Sequence, residues 1–207
     1  MGLLSYLLQD PRTLPFLVIT FIYSIVIHEL AHGWVANKMG DSTAEWLGRL
    51  TLNPFKHLDP IGTLMLFIFG FGWAKPVPVN FNNLHPFRKG LIMVSAAGIV
   101  ANTIAAFICY FLLTILHPMP YSMGYNILIK TGQLNIILAA FNLIPIPPLD
   151  GSKILMGFSS SRFQYTLMRL EPYGFFIIIG LLYLGILNPL IVFFQMIIVG
   201  IISLLLP

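Results

Sequence analysis

Charge is what this sequence has least of. Its 207 residues include seven Asp/Glu and eleven Lys/Arg, 9% of the chain, where a soluble domain carries roughly 25%. So few charges cannot clothe a globule of this length, and 57% of the residues are apolar with a mean hydropathy of +0.88. A free-standing soluble enzyme, a disordered chain and a nucleic-acid binder are poor readings, despite a net charge of +4; that charge belongs to loops at a membrane surface. Cysteine is nearly absent: Cys109 stands alone in an apolar run, which rules out an intrachain disulfide framework or a Cys-based zinc site and leaves a packing thiol. No internal repeat, low-complexity tract or linker divides the chain, so residues 1–207 read as one membrane-embedded domain. Met1–Gln9 has no basic n-region and no A-x-A-like site; it reads as an interfacial stretch rather than a cleaved signal.

What is present is apolar runs near the length of a bilayer crossing, about 20 residues. They predict spans at about 14–36, 90–116, 131–148, 174–187 and 190–206. Between the first two lies a membrane-associated region, 44–89. Within it Pro60–Trp73 is too short to span and is punctuated by Gly62, Gly70 and Gly72, which suits a re-entrant segment or β-hairpin. Lys75-Pro76-Val77-Pro78-Val79-Asn80 follows as an extended strand that cannot be fully paired, because proline has no N–H. The expected fold is an all-α polytopic membrane protein: a bundle of about five transmembrane helices with that re-entrant or β-hairpin insertion after the first. Asn188-Pro189 is expected to divide the uncharged C-terminal stretch.

Three ionisable residues interrupt the first span, where each costs several kcal/mol unless it faces a polar cavity or partner. In His28-Glu29-Leu30-Ala31-His32 the two imidazoles lie four residues apart, on one helix face, where both reach one ion, with Glu29 beside it as a candidate base. The bland alternative is a hydrogen-bonded helix-packing network. A catalytic zinc takes three protein ligands and keeps a fourth position for water, so a third must come from elsewhere. Of the few acids, only Asp150 directly ends an apolar span conspicuously, after the helix-breaking Pro145, Pro147 and Pro148. Its alternative role is a helix N-cap. Asn142 and Asn102 are candidates for polarising a substrate carbonyl or binding substrate backbone, or for bonding helix to helix. His57, His85 and His117 stand alone in loops and are read as solvated or hydrogen-bonded.

If Pro60–Trp73 does not cross, nine of the eleven basic residues share one side, with Arg12 and Lys130 opposite. The positive-inside bias makes that side cytoplasmic.

The chain resembles the site-2 proteases, the intramembrane zinc metalloproteases of peptidase family M50. His28–His32 and Asn142–Gly151 match the two defining motifs, and Gly98-Ile99-Val100-Ala101-Asn102 a G-x-x-x-N element. Gly48–Pro54 and Gly72–Asn80 look like the compact prokaryotic branch without PDZ or CBS domains. Together these cover most of residues 20–175; Ile99 and Ser152 stand where many members have Pro and Gly. The resemblance implies one Zn²⁺ per chain held by His28, His32 and Asp150, with Glu29 as acid/base. It also implies cleavage of transmembrane protein substrates, single-span and open to prior trimming by another protease, near the cytoplasmic face of a prokaryotic cell membrane. Val77, Val79 and Asn80 are expected to offer a strand edge to the unwound substrate. A metal-ion transporter using the same residues as a transit site, and a non-catalytic scaffold, are the rival readings.

Overall fold

The long apolar runs do become helices, because a bilayer leaves the backbone only intra-segment hydrogen bonding. The structure, a computed structural model, describes residues 14–69 and 74–207; Met1–Gln9 and the glycines at 70 and 72 lie outside them. Helix α1 covers Leu14–Lys38, α2 is the single turn Thr43–Trp46, and α3 covers Pro60–Phe69. Then come α4, Phe87–Leu116; α5, Met123–Asn142; α6, Asp150–Phe158; α7, Ser161–Leu170; α8, Gly174–Tyr183; and α9, Leu187–Leu205.

Helix α4 is the central element and packs against α1, α5 and α6, while α9 covers α5. Small residues set the close approaches: Ala106, Ala139 and Ala140 are fully buried in one cluster with Ile99, Ile136, Ile198 and Ile202. A Cβ on Gly132 would come within 2.8 Å of the Tyr110 ring. A second cluster, Ile144, Leu149, Ile178 and Leu187, seats the start of α6 against the C-terminal helices.

Three expectations are corrected. Among the described residues four helical stretches, not about five, are long and apolar enough to cross a membrane: Pro15–Lys38, Phe87–Leu116, Ser161–Tyr183 and Leu187–Leu205. Helix α5 falls short because Asn126, Lys130, Gln133, Asn135 and Asn142 dilute it; packed against α1, α4 and α9, it buries Asn135, which bonds Ser24 of α1 at 2.9 Å, while Gln133 is exposed. The C-terminal break falls at Gly185, with φ 71°, rather than at Asn188-Pro189. Pro189 sits in the first turn of α9, where its missing N–H costs nothing.

The β-hairpin is the third correction. Among the described residues there is no strand, only an isolated antiparallel bridge between Leu58 and Ala74. Residues 60–69 are helical because Asp59-Pro60 starts a helix: Asp59 Oδ1 accepts the Gly62 N–H at 2.7 Å and proline fits the first turn. Residues 75–80 are extended but have no partner strand, since side chains take the places of one. Arg49 donates to the carbonyls of Lys75 (3.0 Å) and Pro76 (3.1 Å). Glu29 Oε2 accepts from Val77 N–H at 2.8 Å, and Asp41 Oδ2 from Asn80 N–H at 2.7 Å.

Asp41 is the chief fastener of this segment. Fully buried, it also accepts from the Asn83 amide at 2.9 Å and from the Thr43 hydroxyl and N–H. Burial pushes its carboxyl upward, but the bonds from Thr43, Asn83 and Asn80 outweigh it and hold it below the ordinary carboxylate range. A lowered folded value stabilises the protein above the unfolded pKa of about 3.9 and loses that stability as pH falls through the folded value. Asp41→Asn is therefore expected to cost about 2 kcal/mol near pH 7, one charged acceptor's worth of bonds. Thermal unfolding of the detergent-solubilised pair should differ by a constant gap down to about pH 4 and converge as pH falls below it; a gap that stayed constant there would contradict the assignment.

Candidate metal centre

The His28–His32 spacing puts both imidazoles on the face of α1 that meets α4, where Gly98 leaves them room. A Cβ there would lie 2.5 Å from His28 Cε1 and from His32 Nε2. Asp150 arrives from the other direction. Helix α5 ends at Asn142, the chain turns through 143–149 with Ile146 N–H bonded to Ile144 O and Leu149 N–H to Ile146 O, and α6 opens at Asp150. The turn is tight: a Cβ on Gly151 would meet Leu143 O at 2.2 Å. The N-cap of α6 is Leu149, with no side-chain capping bond, and the Asp150 carboxylate is turned to the histidines instead.

The three side chains converge. His28 Nε2 lies 3.3 Å and His32 Nε2 3.1 Å from Asp150 Oδ2, and the two Nε2 atoms are 3.0 Å apart. All three residues are buried, and their ligating atoms lie within 4.8 Å of one another. His32 Nδ1 is 2.7 Å from Val94 O, a pure acceptor, so Nδ1 carries a proton and Nε2 is the nitrogen that faces Asp150. The 3.1 Å contact between that nitrogen and the Asp150 oxygen is attractive only with a proton or a metal cation between them. Tetrahedral ligands about 2.0–2.1 Å from zinc lie about 3.3 Å apart, close to the separations seen. The donor set fits zinc.

A cavity of about 720 Å³ reaches this cluster, lined by Glu29, Val77, Val79 and Asn142 among others. Glu29 is half-buried and bonded to Val77 N–H; the Asn142 amide donates to Leu138 O at 2.9 Å while its side chain faces the cavity. Asn80 is exposed and caps the turn that follows, accepting from Asn82 N–H. Asn102 is 1% exposed and is not among the lining residues. His57, far from the cluster in sequence, is buried with Nε2 2.8 Å from Thr51 O. Glu171 lies on the cavity wall, 3.9 Å from Lys153 Nζ. Asp41 and Arg49 were not singled out by sequence reasoning; the signal for Asp41 was Gly40-Asp41 with Thr two residues on, an Asx-turn pattern.

Residues 122–185 match the model of peptidase family M50. The "Putative zinc metalloprotease YwhC" of Bacillus subtilis is 45% identical over 177 residues, covering 81% of this chain and 80% of that protein. The "Putative zinc metalloprotease MJ0611" of Methanocaldococcus jannaschii is 32% identical over 151 residues, covering 68% and 72%. No solved structure matches the chain.

Proposed function

The chain belongs to peptidase family M50 and is a membrane-embedded zinc metalloendopeptidase of the site-2 type, and on that premise we propose that it hydrolyses peptide bonds within or beside transmembrane segments, with Glu29 as acid/base. The observation that carries this reading is the meeting of two imidazole nitrogens and a carboxylate at 3.0–3.3 Å at the end of a cavity that also holds a carboxylate free of the cluster. Zinc, when bound by His28, His32 and Asp150, supplies an acidified water and polarises the scissile carbonyl.

The chain's own residues do the rest. Glu29, held through Oε2 by the Val77 amide, has a second oxygen to take the proton of the attacking water and return it to the leaving amine. Asn142 uses one amide hydrogen on Leu138 O, and the other is available to the substrate carbonyl. The segment 75–80 is tied down at the carbonyls of 75 and 76 and the amide of 80. Val79 keeps N–H and C=O for an unwound substrate, which would lie along the segment as an added strand. Substrates are single-span proteins, pre-trimmed by another protease where they carry a large outer domain. The cavity faces the cytoplasm in this reading, since Lys38, Arg88 and Lys89 mark the same end of α1 and α4.

Detergent-purified protein should contain about one zinc per chain and cut a helix-destabilised single-span substrate, and Asp150→Ala should lose both metal and cleavage. Metal flux in proteoliposomes without peptide products would replace the protease reading with transport.

A further inference from the structure

Each metal-facing histidine needs its other ring nitrogen held, because that second bond fixes tautomer and orientation. His32 has Val94 O for this. Among the described residues His28 has no such partner: its Nδ1 is buried without a hydrogen bond.

Helices α1 and α4 run antiparallel here, with Val94 beside His32 and Gly98 beside His28. The next turn therefore brings Asn102 of α4 level with Ser24 of α1. Asn102 is 1% exposed, and neither its amide nitrogen nor its amide oxygen has a partner. Helical side chains lean toward the N-terminus, over the preceding turn, so the Asn102 amide leans over Gly98, where the missing Cβ would lie 2.6 Å from His28 Nδ1. Asn135 completes the layer from α5, donating to Ser24 Oγ at 2.9 Å while its own oxygen is unpartnered.

We infer that Ser24, Asn102 and Asn135 hold a buried water that hydrogen-bonds His28 Nδ1, making Asn102 the positioning residue for His28. The inference rests on the metal-centre reading above. The unpartnered set mixes an N–H donor with carbonyl acceptors, which water satisfies and a cation does not; leaving such groups unbonded costs more than the bonds they would make. The spacing Gly98-x-x-x-Asn102 thus combines close helix approach with a hydrogen-bonding group aimed at the ligand one turn away.

The test is zinc affinity by chelator competition on the full-length, detergent-purified protein, with the thermal stability of the metal-free form measured in parallel. Asn102→Leu should weaken zinc binding about 10- to 100-fold with the metal-free protein as stable as wild type. Asn102→Ser, which keeps a hydroxyl and room for water, should bind within about threefold of wild type. Wild-type affinity in Asn102→Leu would overturn the inference and leave Asn102 a packing residue. So would an equal loss in both variants that follows metal-free stability. A wild-type protein that binds no zinc would sink the metal-centre reading itself, a result distinct from either.

Discussion

Glu29→Gln is expected to keep its zinc and lose cleavage by at least about a thousandfold. The change leaves the three proposed ligands untouched and even preserves an acceptor for the Val77 amide, now bonded at 2.8 Å. It removes only the ability to take and return a proton. General acid–base catalysis contributes about 10²–10⁴-fold, and among the described residues the other carboxylates lining the cavity have partners: Asp150 meets the histidines and Glu171 lies 3.9 Å from Lys153. Zinc content and product formation, measured on the same preparation, separate the two functions. Near-normal turnover in Glu29→Gln would refute its role as acid/base. Since this variant retains substrate without cutting it, it also suits a second measurement. A cysteine introduced at Val79 should form a disulfide with a cysteine near the substrate's scissile bond; no crosslink anywhere along 77–80 would remove the added-strand reading.

Gly98→Ala should be as damaging by a different route. One methyl group, placed 2.5 Å from His28 Cε1 and His32 Nε2, must push aside two rings whose positions are already set by α1 and, for His32, by the bond to Val94 O. Ligands displaced by even half an ångström no longer meet at zinc distances, so metal content should fall below about a tenth of wild type. Gly200→Ala is the control, because nothing lies within 4 Å of its added methyl and alanine is the better helix former. A Gly98→Ala protein that binds zinc normally would mean that α1 and α4 slide apart freely.

Comparing those residues with the ones overlooked shows what a sequence makes legible. His28, Glu29 and His32 stand out because their relation is local: helical spacing alone puts them together, and the bilayer makes their presence costly. Asp150 is legible by scarcity, a lone acid after a run of prolines. Asp41 and Arg49 are invisible for the opposite reason: their partners are backbone groups of residues 75–80, and nothing in a periodic pattern marks a backbone amide as spoken for. The same blindness produced the β-hairpin. Pro76 and Pro78 do impose an extended chain, but extension does not reveal whether the neighbour is a strand or a set of side chains. Asp59-Pro60, a plain helix start, was outweighed by the three glycines after it. Helix α5 departs from the expected span because its polar residues leave it less apolar than a bilayer crossing, although a bundle tolerates them.

The distance along the chain between the two halves of the cluster also governs when the protein becomes dangerous. Asp150 follows His28 by about 120 residues, on the order of ten seconds of synthesis at roughly 5–20 residues per second. Throughout that interval α1 carries two imidazoles and a carboxylate with no third ligand to complete the cluster. The nascent chain is thus born incompetent, and its competence arrives late, in one step, when the prolines swing Asp150 back against a helix inserted long before. A protease that must share its membrane with every other protein under construction acquires its cutting edge only after most of its own scaffold is in place.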